Sequence, residues 1–505
     1  MNPCSDAALP ATRMILLTAI TLIAGLLLGC ATADEPGNAA ATSGTIPDSS
    51  GRERSAGPSE PDNGYAFPVL PASVALFRTL VSKPAARPLS SLHRLASFVT
   101  STMFDTLNPD SVVLTRRAPV PTLSQGRGMD LATWERQLDE LTGRAPSKGT
   151  IRFLVDGDEF FPRLVDAVEG AERSVDIRIY IFDNDDYATA FADRLKRRSE
   201  DVKIRVLMDG LGTLVAAGAT PGSTPPDAVR AGWIADYLER DSDVDARVQS
   251  NPWLTGDHTK TIVVDNEVAF VGGMNIGREY RYDWHDLMME VRGPIIGVID
   301  REFRLAWYRA GFLGEFGYLA ESLWPRPDRE TGTGYPLRML VTKPGNSEIF
   351  RAQLAAIRAA ERYIYIQNPY FSDDEILVAL IEARRRGVDV RVILPFRGDS
   401  NIMDGSNIVV ANTLFENGIR VFIYPGFSHV KAAIFDGWAC LGSANLDKMS
   451  LRVNEEMNLA TSHPPAVAAL MARVFDVDFA KSVEMTEPLQ QHLGHKLAAL
   501  VANQL

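Results

Sequence analysis

At 505 residues the chain is long enough for two or three domains, and its 46% apolar content allows a full core. A net charge of −12 argues against a nonspecific nucleic-acid binder, which carries a basic face. Three cysteines are too few for a disulfide scaffold in a chain of this length.

Residues 1–29 read as a targeting segment. Arg13 precedes the apolar run Met14 to Leu28, which is short for a transmembrane helix. The run ends in Leu27-Leu28-Gly29-Cys30, which looks like a bacterial lipoprotein cleavage box. That resemblance implies cleavage before Cys30, lipidation of its thiol and attachment to an envelope membrane facing the periplasm. Ala31 after the cysteine resembles outer-membrane sorting. Cys4 would then be lost, and Cys440, in ACLG, would remain as a buried strand residue. Residues 30–63 are rich in Ala, Ser, Gly, Pro and Asp and read as a disordered tether. Residues 64–145 form an accessory region. Its part from Gly64 to Phe104 lacks acids and carries Arg78, Lys83, Arg87 and Arg94. Leu89, Leu92, Ala96, Val99 and Met103 recur there at helical spacing, as a surface-seeking or packing stripe. Met129 to Thr142 reads as an amphipathic helix leading into the first of two repeated domains.

The body of the chain repeats itself. FFPRLVDAVEGAERSVDIRIYIF is answered by IFRAQLAAIRAAERYIYIQNPYF, and DRLKRRSEDVKIRVLMDG by EARRRGVDVRVILPF. Each pair reads helix then strand, and each precedes its own histidine motif, so the halves share a topology. The expected domains are residues 146–313 and 336–484, joined by 314–335 and followed by a C-terminal helix or tail, 485–505. Thr213 to Val244 has no counterpart of equal length and reads as a mobile loop near the site mouth.

The two motifs are HTKTIVVDNEVAFVGGMNIG from His258 and HVKAAIFDGWACLGSANLD from His429. Both have the pattern H-x-K-x-x-x-x-D. In an extended strand His258 and Lys260 share a face, as do His429 and Lys431. Asp265 and Asp436 open hairpin turns, which gives them a turn-fixing or lysine-pairing role. The return strands bring Asn275, Ser443, Asn445 and the glycine amides back beside the histidines, where a helix start would suit a phosphate. Two imidazoles, two ammonium groups and two amides around one anion can perform phosphoryl chemistry. One His attacks phosphorus and the other protonates the leaving alcohol, while Lys and Asn stabilise the charged oxygens. A nucleophilic His needs its second nitrogen held by an acceptor. Each repeat supplies a carboxylate at similar remove, Asp286 and Glu456, with Glu455 as a neighbour. His285 reads as structural. Trp253, Tyr280, Tyr282 and Trp284 flank the first motif, in the core or along a glycerophosphate pocket. No metal-ligand spacing such as HExxH or CxxC appears.

The two H-x-K-x(4)-D motifs, GGMN with GSANLDKMS, and NEEMNL resemble the phospholipase D superfamily. IQNPYF and RRRGVDVRVILP resemble its bacterial cardiolipin synthase-like branch. The resemblance covers about Gly149 to Val483. It implies an α/β fold of two fused, pseudo-symmetric domains, each a mixed sheet flanked by helices, with the active site on their shared axis. It implies His258, Lys260, Asp265, His429, Lys431 and Asp436 as the catalytic set, with His258 as nucleophile and His429 as general acid, and no cofactor. The expected function is phosphatidyl transfer to a phospholipid glycerol hydroxyl through a phosphohistidine. Phospholipid substrates, plausibly phosphatidylglycerol, and a membrane surface are the expected partners, with no nucleic acid. Hydrolysis of phospholipids by the same site is the alternative reading, ahead of a nuclease or a non-catalytic lipid-binding lipoprotein.

Overall fold

The computed structural model describes residues 119–228, 230–249, 255–312, 314–323 and 332–502. The expected signal, Cys30, the tether, the stripe of residues 89–103 and Trp253 lie outside the described residues. The first repeat contributes seven strands: β1 (Ser147–Val155), β2 (Ser174–Ile179), β3 (Lys203–Asp209), β4 (Asp245–Gln249), β5 (Thr261–Val264), β6 (Val268–Gly272) and β7 (Leu287–Arg292). The second contributes β8 (Tyr335–Lys343), the short β9 (Asn346–Ser347), β10 (Tyr363–Gln367), β11 (Asp389–Pro395), β12 (Arg420–Tyr424), β13 (Ala432–Phe435), β14 (Trp438–Gly442), β15 (Glu456–Thr461) and the short β16 (Val483–Glu484).

From its outer edge inward, the first half runs β4-β3-β2-β5-β6-β7-β1. The second runs β12-β11-β10-β13-β14-β15-β8. The two orders are the same, strand for strand, so the repeat seen in sequence is a repeat in space. The outer three strands of each half are mutually parallel and the remainder antiparallel. The halves join where Ser147–Gly149 pairs antiparallel with Tyr335–Leu337. This is the expected mixed α/β fold of two pseudo-symmetric halves.

The hairpins explain why the motif strands pair as they do. Asp265 and Asn266 have φ of 53° and 53°, and Asp436 and Gly437 have 48° and 96°. Two successive left-handed residues suit the twist of these tight hairpins, whose loops are residues 265–267 and 436–437, and Asp-Asn and Asp-Gly tolerate them. Along β5, Ile262 and Val264 enter one core, while Val263 points to another. β13 does the same with Ala433 and Phe435 against Ala432 and Ile434. Period-two alternation thus splits each sheet between an outer core of its own half and a core shared by both. The shared core includes Val271, Met289, Val341, Leu441 and Leu459.

Two expectations need correction. The helix Leu131–Thr142 forms, capped by Asp130, but it packs on the second half although it precedes the first in the chain. Trp134 meets Trp438 edge-on at 5.1 Å, and Arg338 binds Asp139 at 2.6 Å. The Thr213–Val244 stretch is no plain loop. It contains the end of helix Gly210–Ala216 and the helix Ile234–Glu239, and Ser223 is tied to Asp283 and Arg278. No helix among the described residues is long and apolar enough to cross a membrane.

Trp134 is 1% exposed and couples the preceding helix to the second half. Trp134→Ala should cost about 3–5 kcal/mol. The check is a lower urea midpoint. An unchanged midpoint would mean that the helix adds nothing to the fold.

Candidate active site

His258 and Lys260 lie just before β5, and His429 and Lys431 just before β13, so neither pair sits on a regular strand. They are held instead by short bridges between the halves. The His258 N–H donates to the Glu455 carbonyl at 2.8 Å, and Glu455 N–H to Gly256 at 2.9 Å. On the other side His429 N–H donates to the His285 carbonyl at 2.7 Å. Each motif histidine is therefore fixed by the residue that immediately precedes the other half's acid.

The side chains cross in the same way. His258 Nδ1 lies 2.9 and 3.1 Å from the two Glu456 oxygens. His429 Nδ1 lies 2.7 Å from Asp286 Oδ2. Each repeat supplies the acid for the other repeat's imidazole. Lys260 Nζ donates to the His258 carbonyl and Lys431 Nζ to the His429 carbonyl, both at 2.8 Å. Each ammonium keeps further donors.

Burial governs the electrostatics of this cluster. It pushes both imidazoles well below their ordinary range, and Lys260 and Lys431 push them further. Lys260 is itself driven well below the usual lysine value by burial, and Lys431 to about 8. Burial raises Asp286 to about 7 and Glu456 to about 8, against the pull of the lysines. A neutral imidazole whose Nδ1–H is given to a carboxylate presents a free Nε2 lone pair. The His258 side chain is 12% exposed and that of His429 5%, so the first is the more open.

Aromatic rings wall the site unequally. Tyr180 packs edge-on to His258 at 4.7 Å, with Lys260 Nζ 4.9 Å from its centroid. His429 is ringed by Trp284, Phe427, Tyr280 and Tyr370 at 5.1 to 6.4 Å. Tyr280 and Trp284 thus line the cluster, whereas Tyr282 is exposed and stacks under Arg278 and Arg281. Tyr180, Phe427 and Tyr370 escaped the sequence reading. Tyr180 and Tyr370 follow strands β2 and β10, and only the fold shows that these end at the histidines.

Several assigned roles change. Asp265 accepts backbone N–H groups from Glu172, Arg173 and Ser174 at 2.7 to 2.8 Å. Asp436 likewise accepts from Met129, Glu361, Arg362 and Tyr363. Both fix turns at the far ends of their strands, and neither pairs with a motif lysine, so they stand apart from the histidine–lysine cluster. Ser443 Oγ donates to Glu456 at 2.5 Å and accepts from the Met457 N–H, so it holds the acid and is not free for a phosphate. The Gly272, Gly273 and Gly442 amides are spent on Lys260, Leu287 and Lys431 carbonyls. The helical segments that follow, Arg278–Tyr282 and the π-helical turn Met449–Val453, are only five residues each. Asn275 Oδ1 accepts from the Ile181 N–H and its amide also bonds Tyr280, while Asn445 reaches Asp447. At the Ser443 position the first repeat has Gly273, where a Cβ would meet Asp286 Oδ1 at 2.3 Å.

Glu455 and His285, which precede the two acids, occupy equivalent places with different chemistry. Glu455 binds Arg178 at 2.6 Å and Arg309 at 2.9 Å, and Arg178 also binds Asp257 at 2.8 Å. His285 is clamped by Asp156 at 2.7 Å and Asp478 at 2.8 Å and stacks on Tyr424. Although burial opposes its charge, those two acids raise its pKa to about 9. His285 is structural, as its sequence context suggests, and its two acids come from different halves.

The sequence pattern described as "Cardiolipin synthase, PLD-like domain" matches residues 164–307 and 354–479. Cardiolipin synthase A of Pseudomonas fluorescens strain Pf-5 is 30% identical over 391 residues, covering 71% of this chain and 76% of that protein. Cardiolipin synthase A of Pseudomonas entomophila strain L48 is 31% identical over 389 residues, with the same shares. Phosphatidylserine synthase from Haemophilus influenzae Rd KW20 has a similar fold, with a TM-score of 0.57 at 14% identity over 74% of this chain and 100% of that one. With its two matched repeats, the chain belongs to the phospholipase D superfamily and is an enzyme of its cardiolipin synthase-like family.

Proposed function

We propose that the enzyme is a phosphatidyltransferase of cardiolipin synthase type, working through a phosphohistidine. The observation that carries this reading is the crossed pair of buried histidine–carboxylate contacts beside two lysines. His258 Nε2 attacks the phosphorus of a donor phospholipid, plausibly phosphatidylglycerol. The bond from phosphorus to the headgroup oxygen breaks, and His429 passes to that oxygen the proton held by the His429–Asp286 pair, in which burial raises Asp286 to about 7. His429 then takes the proton of a second phospholipid's glycerol hydroxyl, whose oxygen attacks phosphorus and releases His258. Glu456 balances the charge that His258 gains on phosphorylation. Asp286 does so for protonated His429. Lys260, Lys431, Asn275 and Asn445 supply donors for the phosphoryl oxygens. The greater exposure of His258 supports its role as nucleophile. We also propose that Cys30 is lipidated and holds the enzyme on the periplasmic side of the envelope, with the outer membrane favoured by Ala31.

His258→Asn should abolish the covalent adduct with labelled phosphatidyl donor, and His429→Asn should slow its formation. Adduct surviving only in His258→Asn reverses the two roles, and full activity in either variant removes the mechanism. Head-group analysis of the products separates transfer from hydrolysis: cardiolipin with free glycerol supports the proposal, phosphatidic acid the use of water.

Asp286→Asn and Glu456→Gln should each lower turnover, by about 10⁴-fold if they act like the acid behind a catalytic histidine in a triad. Their stability should move the other way with pH. Both acids have folded pKa values raised above the unfolded ones, so the folded state holds extra protons. Stability is therefore lost as pH rises through the interval from about 4 to about 8. The amide variants should flatten that fall. Urea titrations at several pH values test it, and an unaltered slope would show that the acids do not resist ionisation.

Cys30→Ala should move the chain from the membrane to the soluble fraction of a Gram-negative host. Retention in the membrane fraction would place the anchor elsewhere.

A further inference from the structure

The helix Glu315–Leu323 follows the long helix Ile295–Ala310 and is turned inside out. Glu321 and Tyr318 face the protein. Glu321 is 11% exposed and binds Arg304 at 2.7 Å, and Arg309 lies 4.3 Å from the Tyr318 ring centroid. Its large apolar groups face outward. Phe316, Leu319 and Leu323 are 79%, 46% and 71% exposed, and Phe312, one turn earlier, is fully exposed. The spacing 316, 319, 323 places three of them on one stripe of the helix, and Phe312 lies in the turn that leads into it. An ordinary surface helix buries such a stripe, because each large apolar side chain gains free energy by leaving water. Here the inward face is spent on an ion pair, and the apolar face has no partner among the described residues.

The stripe is joined to the catalytic cluster by a short covalent and hydrogen-bonded path. Arg309, three residues before Phe312, binds Glu455 at 2.9 Å. Glu455 holds the His258 main chain and precedes Glu456, which holds the His258 ring. Arg247, 28% exposed, stacks at 3.9 Å over Trp307 and reaches Gly311, where a Cβ would meet its guanidinium at 2.7 Å. Arg247, which also pairs with Asp245 at 3.6 Å, therefore borders the apolar stripe at its start. Apolar groups edged by a guanidinium match the layering of a phospholipid surface, with acyl chains below phosphate.

We infer that Phe312, Phe316, Leu319 and Leu323 form a docking face that inserts into the acyl region of a phospholipid bilayer and sets the orientation of the catalytic body. The inference rests on the phospholipid-acting reading above and adds to it the surface by which the site meets its substrate. A lipid-linked Cys30 keeps the chain near a membrane but cannot orient it. An inserted helix next to the Arg309–Glu455–His258 path would do so.

The test uses the full chain with Leu319→Cys carrying an environment-sensitive fluorophore, on vesicles of phosphatidylglycerol and phosphatidylethanolamine. Asp201→Cys, at a side chain 79% exposed on the first half, is the control. The unsubstituted chain gives the background from native cysteines. Nitroxide placed in the acyl chains should quench the label at 319 and not that at 201. An anchor alone brings both sites near the surface and inserts neither. Phe316→Ser with Leu323→Ser should reduce transfer on vesicles by at least about tenfold. It should leave turnover of monomeric short-chain phosphatidylglycerol unchanged. An unquenched label at 319, or equal loss on both substrates, overturns the docking face. A dimer in sedimentation that the double variant disperses assigns the stripe to a second copy and likewise overturns it. Quenching at 319 in a chain that transfers no phosphatidyl group would leave the docking face standing and remove the transferase reading; transfer with an unquenched label would do the reverse.

Discussion

The structure depends on one constraint: each catalytic-motif imidazole is held by a carboxylate of the other half. Glu456 lies on β15 and holds His258, while Asp286 immediately precedes β7 and holds His429. The main chain repeats the crossing, since the partner of each histidine N–H is the residue before that acid. Neither half therefore contains a complete cluster. The junction of β1 with β8 and the shared core set the relative position of the halves, and tenths of an ångström at the His–carboxylate contacts follow from it. A positioned acceptor matters because an imidazole rotates about χ2 unless its second nitrogen is bound.

The same crossing explains why the site is electrostatically costly. Two lysines, two acids and two imidazoles share one buried volume, and each is shifted toward its neutral form by desolvation. Groups in that state gain more from an arriving charge than hydrated ones do, because the low-dielectric surroundings screen little. The opposing stability comes from apolar strands buried on both faces. β5, β6, β13 and β14 are buried along their whole length, and they carry the histidine segments at their starts and ends. The motif is thus a rigid apolar hairpin with its charged residues at one end and its turn aspartate at the other.

That division sets how much was legible in the sequence. The repeat, the hairpins, the two turn aspartates and the six cluster residues His258, Lys260, Asp286, His429, Lys431 and Glu456 all follow from local pattern. A local pattern carries no statement of which copy meets which, so the crossing of Asp286 and Glu456 was invisible. Ser443 misled for the same reason. A small hydroxyl after a glycine suits a phosphate turn, but the fold brings Glu456 within 2.5 Å of it. The glycine amides, expected to be free, were claimed by strand partners. Helix Leu131–Thr142 shows the limit at larger scale: amphipathicity predicted the helix and its apolar stripe, while its docking on Trp438 is a tertiary choice.

Pseudo-symmetry also lets the halves diverge where the crossing does not bind them. The register of β2 on β5 and of β10 on β13 makes Arg178 the counterpart of Gln367. Arg178 binds Asp257, and Gln367 binds Ser428 at 2.8 Å, in equivalent geometry. One pair is ionic and one neutral. Glu455 and His285 differ in the same sense, an acid between two arginines on one side and an imidazole between two acids on the other. Both arrangements tie the halves together around a buried charge, so either satisfies the mechanical need. Their fields differ, however: His285, raised to about 9, carries positive charge beside Asp286, and Glu455 carries negative charge beside Glu456. The neighbour of Asp286 therefore favours its ionised form. Two motifs of the same lettering thus sit in unlike surroundings.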